Sequence, residues 1–160
     1  MARAASTSSK TAITRREFFA AVRDRLQVRL PTELQGIRFR ANHRQMKLYY
    51  RHERLHYEIW TNGRDQHIEI GLHFENGPES TESLIQFFDQ HIVEIKHELG
   101  PEIELERWTN SWGRIFLLLP YQPLTEELAI EVADRLCAMI TMLQPLLDEA
   151  IKHGYAGVSA

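Results

Sequence analysis

Residues 55–74 read LHYEIWTNGRDQHIEIGLHF, and this stretch decides the fold. Apolar and polar residues alternate on both sides of Asn62-Gly63, which is the period of a β-strand with one buried face. The Asn-Gly pair favours a type I′ turn, because both central residues of that turn need a positive φ. The stretch therefore predicts a long antiparallel β-hairpin.

The same alternation continues outward from the hairpin. It predicts further strands at 46–51, 102–106 and 113–119. The last of these is apolar throughout from Ile115, so we expect it to be central and covered on both faces. Together with the two arms of the hairpin, these segments predict five strands.

Helical periodicity accounts for most of the remaining chain. It predicts three helices: from a capping box of Thr14 and Glu17 to about Arg29, from Ser80 or Thr81 to Leu99, and from Thr125 to about Lys152. Pro145 is expected to kink or split the third helix. The order α-βββ-α-ββ-α predicts an α+β fold, with a single-layer antiparallel five-stranded sheet and helices on one face. We expect residues 13–152 to form this domain, between a disordered tail at 1–12 and a flexible C-terminus at 153–160.

Composition narrows the class of protein. With 43% hydrophobic and 26% charged residues among 160, the chain is expected to be one soluble, bacterial, cytoplasmic domain without a membrane span. The single cysteine, Cys137, excludes an internal disulfide, and its apolar helical surroundings predict an inert thiol. The sequence has no phosphate-binding glycine loop and no serine with a histidine placed to activate it. It therefore favours a non-enzymatic protein without a cofactor.

Charge divides the chain into two parts. Residues 1–54 hold thirteen Lys/Arg and four Asp/Glu, whereas residues 55–160 hold six and eighteen. Cations can neutralise phosphates and an exposed tyrosine can stack on a base. The candidate residues for binding nucleic acid or an acidic protein partner are Arg38, Arg40, Arg44, Lys47, Tyr49, Arg51 and Arg54. A solvated basic surface without a partner is the third interpretation.

Histidines and carboxylates on the hairpin are weak candidates for metal ligands. They are His56, Glu58, His67, Glu69 and His73. His67 and His73 lie about 20 Å apart on an extended strand, too far to share one ion, so only a subset could bind it. A polar, solvent-facing sheet surface is the simpler interpretation, and we predict no metal site.

Two features predict contacts with other proteins. The apolar face of the last helix is unusually wide, which predicts a homodimer with Leu136, Met139, Leu143 and Leu147 in its interface. Trp60 and Trp108 fall on outward strand positions and Trp112 falls in a turn. Exposed aromatic residues often mark an interface, although packing under a helix or loop gives the same pattern.

Five segments carry a resemblance to a known family: LHYEIWTN, IEIGLHFE, EIKHELG, IELERW and RIFLLLP, with a long helix after them. From about residue 44 to 151 the chain resembles a bacterial domain of unknown function, commonly found C-terminal to restriction-endonuclease-like nuclease domains. The resemblance implies an accessory of a nuclease-linked system and supplies no catalytic residues. In topology the chain is also similar to class I type III secretion chaperones, which are small dimeric proteins that hold unfolded partner segments.

These observations predict a non-enzymatic protein-interaction module, either an accessory of a nuclease-linked system or a chaperone-like protein. The alternative is a nucleic-acid-binding accessory protein that uses the basic N-terminal part. Glu94 and Lys96 match the end of a nuclease signature, but they lie in a predicted helix, where residues two apart do not share a face. A metal-dependent hydrolase is therefore the weakest interpretation.

Overall fold

The computed structural model describes residues 11–160, which form one antiparallel sheet of six strands with four helices. The strands are β1 (Arg38–Ala41), β2 (Gln45–Tyr49), β3 (Leu55–Asn62), β4 (His67–Phe74), β5 (Glu104–Arg107) and β6 (Gly113–Pro120). The helices are α1 (Arg15–Arg29), α2 (Pro78–Asp89), α3 (Ile92–Leu99) and α4 (Glu126–Lys152). The order of strands in the sheet is β1-β2-β3-β4-β6-β5. The α+β class and the antiparallel sheet are confirmed.

Two details of the predicted element order are wrong. The sheet has six strands rather than five, because β1 adds an edge strand whose four residues were too short to give a clear period. The helix expected to run to Leu99 is two helices, α2 and α3, with Gln90 and His91 between them. The His91 amide donates to the Phe88 carbonyl at 3.0 Å, which is the tighter i to i+3 pattern of a helix end.

The long hairpin is confirmed, but its turn differs from the prediction. Strands β3 and β4 pair along their whole length, with Asn62 opposite His67. The turn therefore has four residues, 63–66, instead of two. The Asn62 side chain accepts a hydrogen bond from the Arg64 amide at 3.1 Å, and the positive φ, 58°, belongs to Gln66.

One face of the sheet, the inner face, packs against the helices in a single hydrophobic core. Its largest fully buried strand residues are Met46, Leu48, Tyr57, Ile59, Ile68, Ile70, Leu72 and Phe74. They meet apolar residues of all four helices, such as Phe18, Leu84, Ile95 and Leu136. The other face, the outer face, carries the residues that alternate with these, and the candidate site lies there.

Strand β6 does not have the central position that its apolar sequence predicts. It lies between β4 and the edge strand β5, and Ile115 and Leu117 face the core. Leu118 points to the outer face, where it is 47% exposed. Phe116, also on the outer face, is buried beneath the Arg114 guanidinium, so the expected cover on both faces holds at Phe116 and fails at Leu118.

Helix α4 runs unbroken through Pro145, so the expected split does not occur. The residues predicted for a dimer interface, Leu136, Met139, Leu143 and Leu147, are at most 2% exposed within one chain. Helix α1 packs along α4 as well, and a helix that contacts both the sheet and a second helix needs a wide apolar face. Those four residues are unavailable to a second copy, and the homodimer remains a prediction without an assigned interface.

The chain after α4 returns to the domain. Ala156 is fully buried, and its carbonyl accepts hydrogen bonds from Ser80 Oγ at 2.7 Å and Asn76 Nδ2 at 3.1 Å. The tail predicted at 1–12 lies outside the described residues, apart from Thr11 and Ala12. Among residues 11–160 no helix is both long and apolar enough to cross a bilayer.

Candidate functional site

The outer face brings together charged residues that are distant in the sequence. Strand register places Arg40, Lys47, Glu58, Gly71, Phe116 and Glu104 in one row across the sheet. The next row contains His56, His73, Arg114 and Glu106. Directly opposed residues on neighbouring strands are in side-chain contact range, so the charged residues of these two rows are close enough to pair with one another.

Five residues in the middle of this face form what we call the histidine–carboxylate cluster: His56, Glu58, Glu69, His73 and Glu75. The first four are at most 6% exposed. The two imidazole rings stack with centroids 5.6 Å apart and planes 19° apart. The interpretation of a solvent-facing polar surface is therefore wrong for these residues.

One half of the cluster is a chain of charged pairs. His73 Nε2 lies 2.8 Å from Glu69 Oε1, and the second oxygen of Glu69 accepts from Arg114 at 2.7 Å. Arg114 also donates twice to Glu106. Because Glu69 is almost fully buried, these partners supply the stabilisation that water gives to an exposed carboxylate.

The other half is centred on Glu58. Its Oε2 lies 3.3 Å from His56 Nε2 and 3.6 Å from Lys47 Nζ. Burial alone would raise the pKa of this carboxyl, but the hydrogen bond from His56 and the charges of His73, His56 and Lys47 outweigh burial and lower the pKa. Glu58 is thus held as a carboxylate in a nearly dry environment.

Aromatic residues close one side of the cluster. The Trp108 ring lies over the Arg114 guanidinium, 4.7 Å from its central carbon, and edge-on to His73 at 6.1 Å. Trp60 and Trp112 contact Trp108 with ring centroids 6.4 and 5.8 Å away. These aromatic contacts help to exclude water from polar residues on the outer face.

A second candidate site lies at the end of the sheet near the β1–β2 and β3–β4 turns. Two clefts of about 720 and 840 Å³ adjoin there and share Arg15 and His43. The first also contains Arg44, Arg64, Trp60 and Asp65, and the second also contains Arg16, Arg23, Phe19 and Phe39. We call them the basic clefts, because they hold five arginines and one carboxylate.

The cations of the basic clefts are largely unpaired. Within residues 11–160 the side chains of Arg16, Arg44 and Arg64 have no hydrogen bond or ion pair. Arg15 donates to the Thr61 hydroxyl at 3.0 Å, which is a neutral partner, and only Arg23 pairs with a carboxylate, that of its neighbour Asp24. The clefts therefore present positive charge that the described part of the chain, residues 11–160, leaves largely unneutralised.

The basic residues singled out in the sequence do not form one patch. Arg40 pairs with Glu53 at 2.6 Å and Lys47 pairs with Glu58 and Glu75, so these two cations are already neutralised. Arg44 lines the basic clefts. Arg51 and Arg54 lie in the β2–β3 turn at the opposite end of β2, and Arg38 and Tyr49 face each other across β1 and β2.

Of the candidate metal ligands, the structure brings together His56, Glu58, Glu69 and His73. His67 lies apart, with its Nδ1 bonded to the Asp65 carbonyl at 2.9 Å. Glu75, which sequence reasoning missed, contacts both buried histidines at 4.0 Å. The signal was present, since Glu75 is the acid that ends the apolar strand IEIGLHFE, but strand alternation does not extend past the end of β4.

Two other chemical candidates lie apart from these regions. Cys137 is half-buried on α4, where burial raises the pKa of its thiol, so the thiol is protonated near neutral pH. Glu94 and Lys96 lie on α3, as expected, and not on a strand. Comparison with models of protein families and with curated proteins found no match to this chain, so the resemblance described above stays a prediction.

Proposed function

We propose that this protein is a nucleic-acid-binding module that holds a phosphodiester backbone in the basic clefts. The proposal rests on a contrast in pairing. Arg16, Arg44 and Arg64 have no side-chain partner within residues 11–160, whereas Arg40, Lys47 and Arg114 on the outer face are paired with carboxylates. When arginines bind phosphates, the counterions condensed on the nucleic acid are released. This release is the main source of affinity in such complexes.

The shape and composition of the clefts support a nucleic acid over an acidic protein surface. The arginines converge on a concave surface, where each guanidinium can bind a phosphate with two parallel hydrogen bonds. Trp60 lies in the same cleft and is partly exposed, so its indole can stack on an unpaired base. A single strand with accessible bases is therefore the ligand that fits both features.

A fluorescence-anisotropy titration with labelled single- and double-stranded oligonucleotides tests the proposal at about 50 and about 200 mM salt. We expect the triple variant Arg16→Gln, Arg44→Gln, Arg64→Gln to lose most of the affinity and to flatten the salt dependence by about one unit of slope per phosphate contact removed.

The matched control is the triple variant Arg38→Gln, Arg51→Gln, Arg54→Gln. These three arginines are also exposed and without side-chain ion pairs in residues 11–160, and their loss changes the net charge equally. Equal weakening by both triple variants would mean that binding follows net charge alone and would reject the clefts as the site. Absence of binding by the unaltered protein at low salt would reject the function.

A protein partner is a second candidate, favoured by a different observation. Trp108, Trp112 and Leu118 are 38, 41 and 47% exposed, and all three lie on the outer-face side of β5 and β6. Large exposed aromatic residues are typical of interface centres. A second copy of the chain is the first partner to test, by sedimentation velocity over a range of concentrations. Self-association that Leu118→Glu removes would support this interface, and a monomer at high concentration would argue against a homodimer.

A further inference from the structure

Three potential ligand atoms for a metal converge in the histidine–carboxylate cluster. His56, His73 and Glu75 each offer one nitrogen or oxygen atom within 4.8 Å of the other two. Glu75 Oε1 lies 4.0 Å from both His56 Nε2 and His73 Nδ1. Both histidines are almost fully buried, whereas the Glu75 side chain is 21% exposed. The arrangement joins two preformed donors to a third that is able to move.

The hydrogen bonds on the far side of each ring determine which nitrogen is free. His56 Nδ1 lies 2.8 Å from the Glu53 carbonyl, which can only accept, so this nitrogen carries a proton. His73 Nε2 lies 2.8 Å from the Glu69 carboxylate, which Arg114 holds as an ion pair, so this nitrogen also donates. Without a metal, His56 Nε2 donates the hydrogen bond to Glu58 described above. An ion that displaces this proton into solvent leaves neutral rings, whose remaining nitrogens, His56 Nε2 and His73 Nδ1, are free to bind it.

We propose that His56, His73 and Glu75 bind a divalent transition-metal ion such as zinc, through His56 Nε2, His73 Nδ1 and a Glu75 carboxylate oxygen. The two nitrogens and the Glu75 carboxylate oxygen lie within 4.8 Å of one another, so one cation can contact all three. A histidine that donates its second nitrogen to a carboxylate or a backbone carbonyl is the usual outer arrangement of a metal site, and here both histidines have it.

The distances fit an ion after a small closure. Ligand atoms around tetrahedral zinc lie about 3.3 Å apart, from zinc–nitrogen and zinc–oxygen bonds of about 2.0 to 2.1 Å. The two contacts of Glu75 must shorten from 4.0 Å, which rotation of its partly exposed side chain can supply. Glu58 Oε2, 3.3 Å from His56 Nε2, is already placed to become a fourth donor.

The surroundings allow an ion to enter and balance its charge. Glu75 and Lys47 line a surface cleft of about 460 Å³, which gives a path to the otherwise buried histidines. Glu58, Glu69, Glu75 and Glu106 exceed Lys47 and Arg114 by two negative charges, which a divalent ion neutralises. Lys47 Nζ lies 3.8 Å from Glu75 Oε2 and is the cation that an incoming metal must displace or tolerate.

The test is a zinc titration of the chelator-treated full chain, with a colorimetric competitor, and a parallel cobalt(II) titration followed by visible absorption. We expect one ion per chain and a cobalt spectrum typical of a low coordination number. Glu75→Gln should weaken zinc affinity at least about tenfold, while Lys47→Gln should strengthen it because a repelling charge is removed. Circular dichroism checks that each variant is folded.

The matched control is Glu53→Gln, which removes an exposed carboxylate close to the cluster but leaves the Glu53 backbone carbonyl on His56. Affinity should be unchanged in this variant. If the folded protein binds neither zinc nor cobalt stoichiometrically, the proposal is overturned. A protonated histidine paired with Glu58 would then supply the positive charge that the cluster needs. Equal zinc affinity in Glu75→Gln, or weaker affinity in Lys47→Gln, would also overturn it.

Discussion

The outer face and the basic clefts are both rich in charge, but they use it in opposite ways. On the outer face, Arg40, Lys47 and Arg114 are neutralised by carboxylates, and His56, Glu58, Glu69 and His73 are buried. In the basic clefts, Arg16, Arg44 and Arg64 remain exposed and have no partner within residues 11–160. Pairing, rather than the density of cations in the sequence, therefore distinguishes a surface that is complete in itself from one that is ready to bind an anion.

The largest expected effect is the loss of a charge from the outer face. Replacing Glu69 with alanine removes the partner of His73 and one of the two partners of Arg114, so we expect a fall of about 3 kcal/mol in the free energy of unfolding. Urea unfolding followed by circular dichroism measures it. Arg64→Ala in the clefts is the control and should change stability by less than about 0.5 kcal/mol. Similar values for the two variants would remove the distinction between the regions.

Close packing at the centre of the outer face gives the second prediction. A Cβ added at Gly71 would lie 2.9 Å from both the Ile115 carbonyl oxygen and Phe116 Cβ, and backbone atoms cannot easily move away. We expect Gly71→Val to destabilise the protein by about 2 kcal/mol, by the same unfolding measurement. Oligonucleotide affinity of the folded variant should be unchanged. Wild-type stability would show that the outer face is looser than the contacts indicate.

Trp60 belongs to both regions, since it contacts Trp108 and also lines the first basic cleft. Trp60→Ala should weaken binding of single-stranded oligonucleotides by about 1 kcal/mol, or roughly fivefold, because one base loses its stacking partner. Affinity for double-stranded DNA, whose bases are already stacked, should change less, and anisotropy compares the two ligands. An equal loss for both would assign Trp60 a purely structural role.

The smallest effect concerns a paired arginine on the same helix as the cleft arginines. Arg25 makes two hydrogen bonds of 2.8 Å to Asp134, and these lower the pKa of Asp134 below its ordinary value of 3.8. The pair therefore stabilises the fold above about pH 4, and this stabilisation is lost as the pH falls through the lower pKa of the folded state. Asp134→Asn should remove a small part of the acid dependence of unfolding, measured from pH 2 to pH 7. Unchanged acid dependence would mean that solvent screens the pair completely.

Much of the fold could be predicted from period alone, but the burial of the outer face could not. Alternation identified β3 and β4 and their inner residues, because one face of each strand is uniformly apolar. Alternation also grouped His56, Glu58, Glu69 and His73 on the other face. The sequence pattern of a polar face is the same whether water or a side chain such as Trp108 covers it, so their burial could not be predicted. Burial there depends on a loop that follows β5, far along the chain.

The basic clefts were only partly visible in the sequence. Arg44 was among the candidates, but Arg15, Arg16 and Arg64 come from α1 and the β3–β4 turn and meet it only after the sheet forms. The pairing of Lys47 with Glu58 and Glu75 was hidden for the same reason, because it depends on strand register and on the end of β4. Counting charges in a stretch of sequence gives the number of cations but does not show which of them are paired with carboxylates in the folded protein.

A nuclear magnetic resonance titration can locate the bound nucleic acid by observing arginine Nε–Hε and tryptophan indole signals while a short single-stranded oligonucleotide is added. If the strand lies in the basic clefts, we expect the signals of Arg15, Arg16, Arg44, Arg64 and Trp60 to shift and those of Arg40 and Arg114 to stay in place. Shifts confined to Arg114 and Arg40, or to Arg51 and Arg54, would contradict this expectation. The ligand would then bind the outer face or the opposite end of the sheet, and the basic clefts would not be the site.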